Sequence, residues 1–131
     1  MNVVHRSIGS GRRRSGQATV ELALGFPVVL IGILLVLQLA LVGRDQLLVS
    51  HATREAARTA AVDPRPGAGR DGALAATTGL DPDRLTVDSR RRGERVQVTL
   101  RYRSRTALPV VGALVPDPML RAAVTMRIES G

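Results

Sequence analysis

The sequence predicts an α+β protein, a long N-terminal transmembrane-plus-stalk helix packed on a small antiparallel sheet of about three strands. Three observations predict it. A charge-free run extends from Leu22 to Gly43. Its last residue, Gly43, is the only helix breaker at its junction with the Ala-rich stretch Asp45–Val62, which contains no glycine or proline. After Gly79, apolar residues recur at every second position instead of every third or fourth.

The run from Leu22 to Gly43 is 22 residues long, and Gln38 is its one strongly polar side chain. At about 1.5 Å per residue it makes a helix of roughly 33 Å, enough for a hydrocarbon core of about 30 Å. A cleaved secretory signal has a shorter apolar region, about 7–15 residues, followed by a small-x-small site. Here the run continues into Arg44-Asp45 without such a site. Gly25, Pro27 and Gly32 fall inside it, as membrane helices tolerate. Pro27 lacks a donor and is expected to loosen the helix near its start. Arg6, Arg12, Arg13 and Arg14 precede the span with no acid before Glu21, which orients residues 1–16 to the cytoplasm and the chain after Gly43 away from it.

Glu21 stands at the threshold of the run, with Gly16 five residues before it. An acid deep in a bilayer costs roughly 2–3 kcal/mol or more, so a carboxylate at this position points to a function. Glycine offers a peptidase a bond without a Cβ beside it. Together they point to a chain cut on the cytoplasmic side of its apolar segment, which then stays in the mature protein.

Beyond the span, Leu48, Ala52, Ala56 and Ala60 repeat every four residues and form a stripe of small side chains, with Arg54, Glu55 and Arg58 on other faces. One continuous helix from about Gln17 to Ala61 is the simplest arrangement. The stripe either lets another helix approach closely or packs on this chain's own sheet, with Leu47 and Leu48 contributing to the cover. The segment Asp63–Gly69 reads as a loop, Gly72–Thr78 as a short helix, and Gly79–Asp83 as a turn. Leu85 and Val87 alternate with polar residues, as do Val96, Val98, Leu100 and Tyr102. Arg90–Glu94 between them reads as the hairpin turn. A third strand is expected from about Arg121 to Glu129, with Ala122, Val124, Met126 and Ile128 on one face. Such strands make a sheet covered on one side only. The segment Ala107–Met119 is apolar but broken by Pro109, Gly112, Pro116 and Pro118, and packing within the domain suits it best. The organisation expected is therefore a basic cytoplasmic leader at 1–16, a transmembrane helix at 17–43, a stalk helix at 44–62 and an extracytoplasmic α+β domain at 63–131.

The chain has 131 residues and a net charge of +8, with 19 arginines, no lysine and no cysteine. Disulfides and thiolate chemistry are thereby excluded. Aromatic residues are only Phe26 and Tyr102, too few for the stacking platforms of nucleic-acid binders. The positive charge reads as solvated surface plus cytoplasmic anchor, and no nucleic-acid partner is expected. His5 and His51 are far apart and lack acids at ligand spacing, so no metal or catalytic role is assigned. Asp81 and Asp83 bracket a proline in a turn without the ligand series of a calcium loop. Arg90, Arg91 and Arg92 read as a solvated loop, or else as a contact for acidic partners. Gly67 and Gly69 lack the strand–helix setting of a dinucleotide site. No cofactor, small-molecule substrate or enzymatic activity is expected.

The stretch GQATVELALGFPVVLIGILLVLQLAL, residues 16–41, resembles the N-terminal signature of TadE-like proteins, minor pilin-like subunits (pseudopilins) of tight-adherence, Flp-type pilus systems. Gly16, the Val20-Glu21 pair, Ala23-Leu24, Pro27 and the aliphatic run carry the likeness. HATREAARTAA, residues 51–61, is similar to the helix that follows the span in that family, and AAVTMRIE to its last strand. The resemblance implies cleavage by a prepilin peptidase between Gly16 and Gln17. Glu21 then becomes the fifth mature residue and pairs with an N-terminal amine, its own or a neighbour's. The implied partners are the membrane, the peptidase, other pilin-like subunits and the pilus assembly machinery. Glutamine at the new N-terminus, where many type IV pilins have an aromatic residue, departs from the pattern. A second reading is an unprocessed single-pass accessory protein of a secretion or cell-envelope complex. A third, a membrane-bound enzyme or nucleic-acid binder, lacks the residues for it.

Overall fold

The structure is a computed structural model and describes residues 11–107, 112 and 116–128. The leader before Gly11, most of the apolar segment 107–119 and the end of the third strand at Glu129 lie outside the described residues. The elements run α1 (Gly11–Val62), α2 (Ala68–Ala76), a 3₁₀ turn (Pro82–Arg84), β1 (Leu85–Arg92), β2 (Arg95–Arg103) and β3 (Met119–Arg127). This is the expected α+β architecture. The three strands form an antiparallel sheet in the order β1-β2-β3.

α1 is a single helix of 52 residues that passes through Pro27 without interruption. It starts six residues before the expected Gln17, because nothing between Gly11 and Gly16 breaks a helix as proline would. Its C-terminal half lies on the sheet. Val49, Ala52, Ala56, Ala57 and Thr53 are fully buried there, with Ala60 and Ala61 nearly so. The apolar stripe is therefore wider than one residue in four, and Val49 is its largest buried member. Leu48 is only partly buried, and Leu47 is 74% exposed, contrary to the expectation that it covers the sheet. Successive helical residues differ by about 100°, so Leu47 falls outside the arc set by Val49, Ala52 and Ala56.

Against this face stand Val96, Val98, Leu100 and Tyr102 of β2, all buried. Each fully buried valine or leucine contributes about 1.5–3 kcal/mol, so β2 supplies most of the apolar volume. The alanines supply little volume and allow a close approach. Partly buried Leu85 and Val87 on one side and Leu120, Ala122, Val124 and Met126 on the other complete the layer. Tyr102 accepts, through its hydroxyl, a bond from the Asp81 amide at 3.5 Å.

α2 begins four residues before the expected short helix and ends at Ala76. Gly69 reads as loop in the sequence and Gly72 as the start of the short helix, yet both lie inside α2 and are buried where it meets α1. A Cβ on Gly72 would lie 2.8 Å from Thr59 Cβ and 3.3 Å from Ala56 Cα. Glycine is thus the residue that lets the two helices touch. Thr77 ends the helix by donating its hydroxyl to the Leu74 carbonyl at 3.0 Å.

Arg90, Arg91 and Arg92 belong to β1, not to the turn, which consists only of Gly93 and Glu94 between the paired Arg92 and Arg95. Gly93 has φ +55°, the left-handed conformation that two-residue hairpins need at their first central position. Alternation along the strand then sends Arg91 to the helix side. Its Nη2 donates to the carbonyls of Ala60 and Asp63, both at 2.7 Å. α1 has no basic residue in its last turn, so Arg91 brings the cation that complements its C-terminal dipole.

The ends of the 107–119 segment are tied together. Asp117 accepts the Thr106 amide at 2.9 Å and Arg84 Nη1 at 3.0 Å. Ser104 donates its amide to the Pro118 carbonyl at 3.1 Å. The Thr106 amide, and then the Arg84 guanidinium, hold the Asp117 carboxyl below its ordinary range.

Arg91→Ala leaves the Ala60 carbonyl of α1 and the Asp63 carbonyl just beyond it to water alone and is expected to lower domain stability by about 1–2 kcal/mol in denaturant unfolding. Arg91→Lys should restore only part of it, since the guanidinium fork is lost. For Asp117 the folded pKa is depressed, so its stabilisation is fully present above the unfolded value and disappears as pH falls through the folded one. Thermal unfolding in neutral detergent between pH 5 and pH 2 should therefore show a smaller acid loss for Asp117→Asn than for wild type. An identical pH profile would contradict the ion-paired role.

Candidate functional site

The N-terminal half of α1 makes no comparable packing. From Gly16 to Leu37 every side chain is exposed except Leu34, which is half-buried. Leu22, Leu24 and Leu39 are each about 70% exposed. More than a dozen large apolar side chains in water would forfeit about 1.5–3 kcal/mol each relative to burial. A continuous surface of this extent marks contact with lipid or with other apolar helices.

Gly16 and Glu21 lie on this free half. A Cβ built on Gly16 would meet nothing within 4 Å, so the bond to Gln17 is sterically open. It is nonetheless inside the helix, where an extended bond was expected. Glu21 is exposed, and its Oε1 accepts Gln17 Nε2 at 3.3 Å across one helical turn. The i, i+4 spacing thus brings the expected cleavage residue and the expected assembly carboxylate together. The stripe residues Ala52, Ala56 and Ala60 lie roughly 47–59 Å beyond Glu21, at about 1.5 Å per residue, buried in the domain core. They do not converge with Glu21, and they pack within this chain, against α2 and the sheet.

Gln38 marks the end of the free half. It is 6% exposed, and its Nε2 donates to the Arg105 carbonyl at 3.5 Å. Asp45 accepts Ser104 Oγ at 2.6 Å, and Gln46 Nε2 donates to the Arg121 carbonyl at 3.4 Å. These contacts clamp the helix to the domain from inside the last part of the apolar run, at Gln38, to just past it, at Asp45 and Gln46. The three polar positions were readable in the sequence, but their partners lie 59–75 residues away and become visible only in the fold.

Among the described residues no group of three metal-ligating side chains converges. His51 is exposed on α1. Asp81 accepts the Asp83 amide at 3.1 Å and caps the 3₁₀ turn, which accounts for the Asp-Pro-Asp sequence without a ligand.

The family described as TadE-like protein matches residues 16–58. No curated protein and no solved structure matches the chain. The matched stretch begins at Gly16, contains Glu21 and the whole apolar run, and ends at Arg58 inside the packed half of α1. The chain thus carries the TadE-like region at residues 16–58, on a helix long and apolar enough to cross a membrane.

Proposed function

We propose that this protein is a minor pilin or pseudopilin of a tight-adherence type pilus, held in the membrane by α1, cut by a prepilin peptidase between Gly16 and Gln17, and acting in pilus assembly. The observation that carries the reading is the asymmetry of α1. One helix exposes its large apolar side chains over its first half and packs one face into a folded domain over the other. TadE-like similarity across both halves supports the same assignment. In this reading, residues 1–16 are the cytoplasmic leader, 17–43 the transmembrane helix, 44–62 the stalk and 63–131 the extracytoplasmic domain. The protein is not an enzyme; its work is association.

Cleavage at Gly16 requires the first turns of α1 to open, since a peptidase acts on an extended strand. Helix ends fray, and the glycines at positions 11 and 16 lower the cost. The released α-amine of Gln17 then lies one turn from Glu21. An ionised carboxylate persists among apolar helices only when a cation compensates it. An amine from the same or an adjacent subunit meets that need and sets the axial register between subunits.

Gly16→Leu should leave full-length precursor in membranes that contain a prepilin peptidase, while wild type begins at Gln17 by mass spectrometry. Wild type that retains Met1–Gly16 under those conditions would mean the unprocessed accessory protein instead. Glu21→Ala and Glu21→Gln should both insert normally yet recover several-fold less of the other pilin-like subunits on co-purification from membranes. Undiminished recovery with both variants would remove Glu21 from the site.

A further inference from the structure

The face of the sheet turned away from α1 carries an unusual charge. Alternation places Arg92, Arg95 and Arg127 side by side across all three strands at the hairpin end, and Arg101 beside Arg121 further along. Arg90 and Arg103 point the same way, and all seven are exposed. Acids lie among them: Asp88 lines a hollow with Arg101 and Arg121, Asp83 one with Arg101 and Arg103, and Asp117 lies close enough to feel the Arg103 charge. Asp88 pairs with Arg90 at 3.2 Å and Glu94 with Arg127 at 3.3 Å. Arg92, Arg95, Arg101, Arg103 and Arg121 have no ion pair among the described residues. Like charges directly opposite one another on a sheet are destabilising, so these rows cost the fold stability. A bound polyanion would relieve that repulsion.

We infer that this outer sheet face binds an extended, base-free phosphodiester polymer, such as a poly(polyol phosphate). The cations do not converge on one point. They run the length of nine-residue strands, about 30 Å at roughly 3.3 Å per residue, as a linear polyanion requires. Between them are shallow hollows floored by short donors. One of about 280 Å³ has Arg90, Arg92 and Arg95 around Gln97 and Thr125. Guanidinium groups on several sides with a hydroxyl below suit the tetrahedral phosphodiester, whose oxygens point in different directions. A planar carboxylate is satisfied by one guanidinium edge. The face carries no aromatic side chain to stack bases and, among the described residues, no projecting element to enter a duplex groove. Because α1 lies flat on the opposite side, a bilayer crossed by α1 would meet the sheet edge-on, so lipid headgroups do not face these arginines.

The test uses the full-length protein in neutral detergent and fluorescently labelled poly(glycerol phosphate), with single-stranded DNA, polygalacturonate and neutral dextran as comparison polymers. Affinity is measured by fluorescence anisotropy from 50 to 200 mM salt. The triple variant R92Q/R95Q/R127Q should bind at least about tenfold more weakly, with a log–log salt slope shallower by about two, as loss of three phosphate contacts on a single chain implies. Its unfolding temperature should equal or exceed that of wild type, because a row of like charges is gone. R54Q/R58Q/R70Q removes the same charge from exposed helical positions and should cost about twofold or less. Equal losses in the two triple variants, tighter binding of DNA or polygalacturonate, or absence of binding to poly(glycerol phosphate) would each overturn the proposal.

Discussion

Close contact between the small-residue face of α1 and the apolar row of β2 is the constraint on which the rest of the molecule depends. Ala52, Ala56 and Ala60 bring the helix backbone near the sheet, and Val96, Val98 and Leu100 fill the layer between them. Because the helix side contributes so little volume, the neighbouring elements must also come close. α2 does so through Gly69 and Gly72, which sit on Ala60 and Ala56. A domain this small has few large side chains to bury, and close packing of small ones recovers dispersion energy that a looser layer would lose.

The same helix has to satisfy two solvents. Its first half displays leucine, valine and isoleucine on all sides, whereas its second half displays arginine outward and alanine inward. The transition is short, and it is fastened by polar contacts from Gln38, Asp45 and Gln46 to distant backbone and side-chain partners. A force or displacement applied to the apolar half therefore reaches the domain through one unbroken helix and several clamps, not through a flexible linker. That rigidity couples the position of the apolar half to that of the domain.

Arginine plays three physical roles within two strands. Arg91 faces the helix and satisfies its last carbonyls, and Arg84 from the preceding turn holds the ends of the 107–119 segment through Asp117. Arg92, Arg95 and Arg101 face outward without acidic partners. The period of two in a strand decides which is which: neighbours in sequence lie on opposite faces, and one-residue shifts exchange a structural cation for a surface one.

Much was legible in the sequence because it depends on local chemistry. Twenty-two residues without charge demand a membrane-length helix, and strict alternation around Val96–Tyr102 demands a strand with one buried face. Gly16 and Glu21 could be singled out because a glycine and a lone acid before such a run are conspicuous, and the i, i+4 contact between Gln17 and Glu21 follows from helix geometry alone. What the sequence left open depended on neighbours distant in the chain. Gly69 looked like loop and Gly72 like no more than a helix start because their close approach to α1 is a tertiary fact, and Leu47 looked like core because apolarity does not reveal the arc a sheet will cover. The arginine triplet looked like a loop until β2 paired with β1 through Arg92 and left only Gly93 and Glu94 to turn. Local periodicity determined which elements form; which faces meet, and which arginine caps a helix instead of facing water, was decided by packing, because only there do charges and carbonyls some thirty residues apart come within bonding distance.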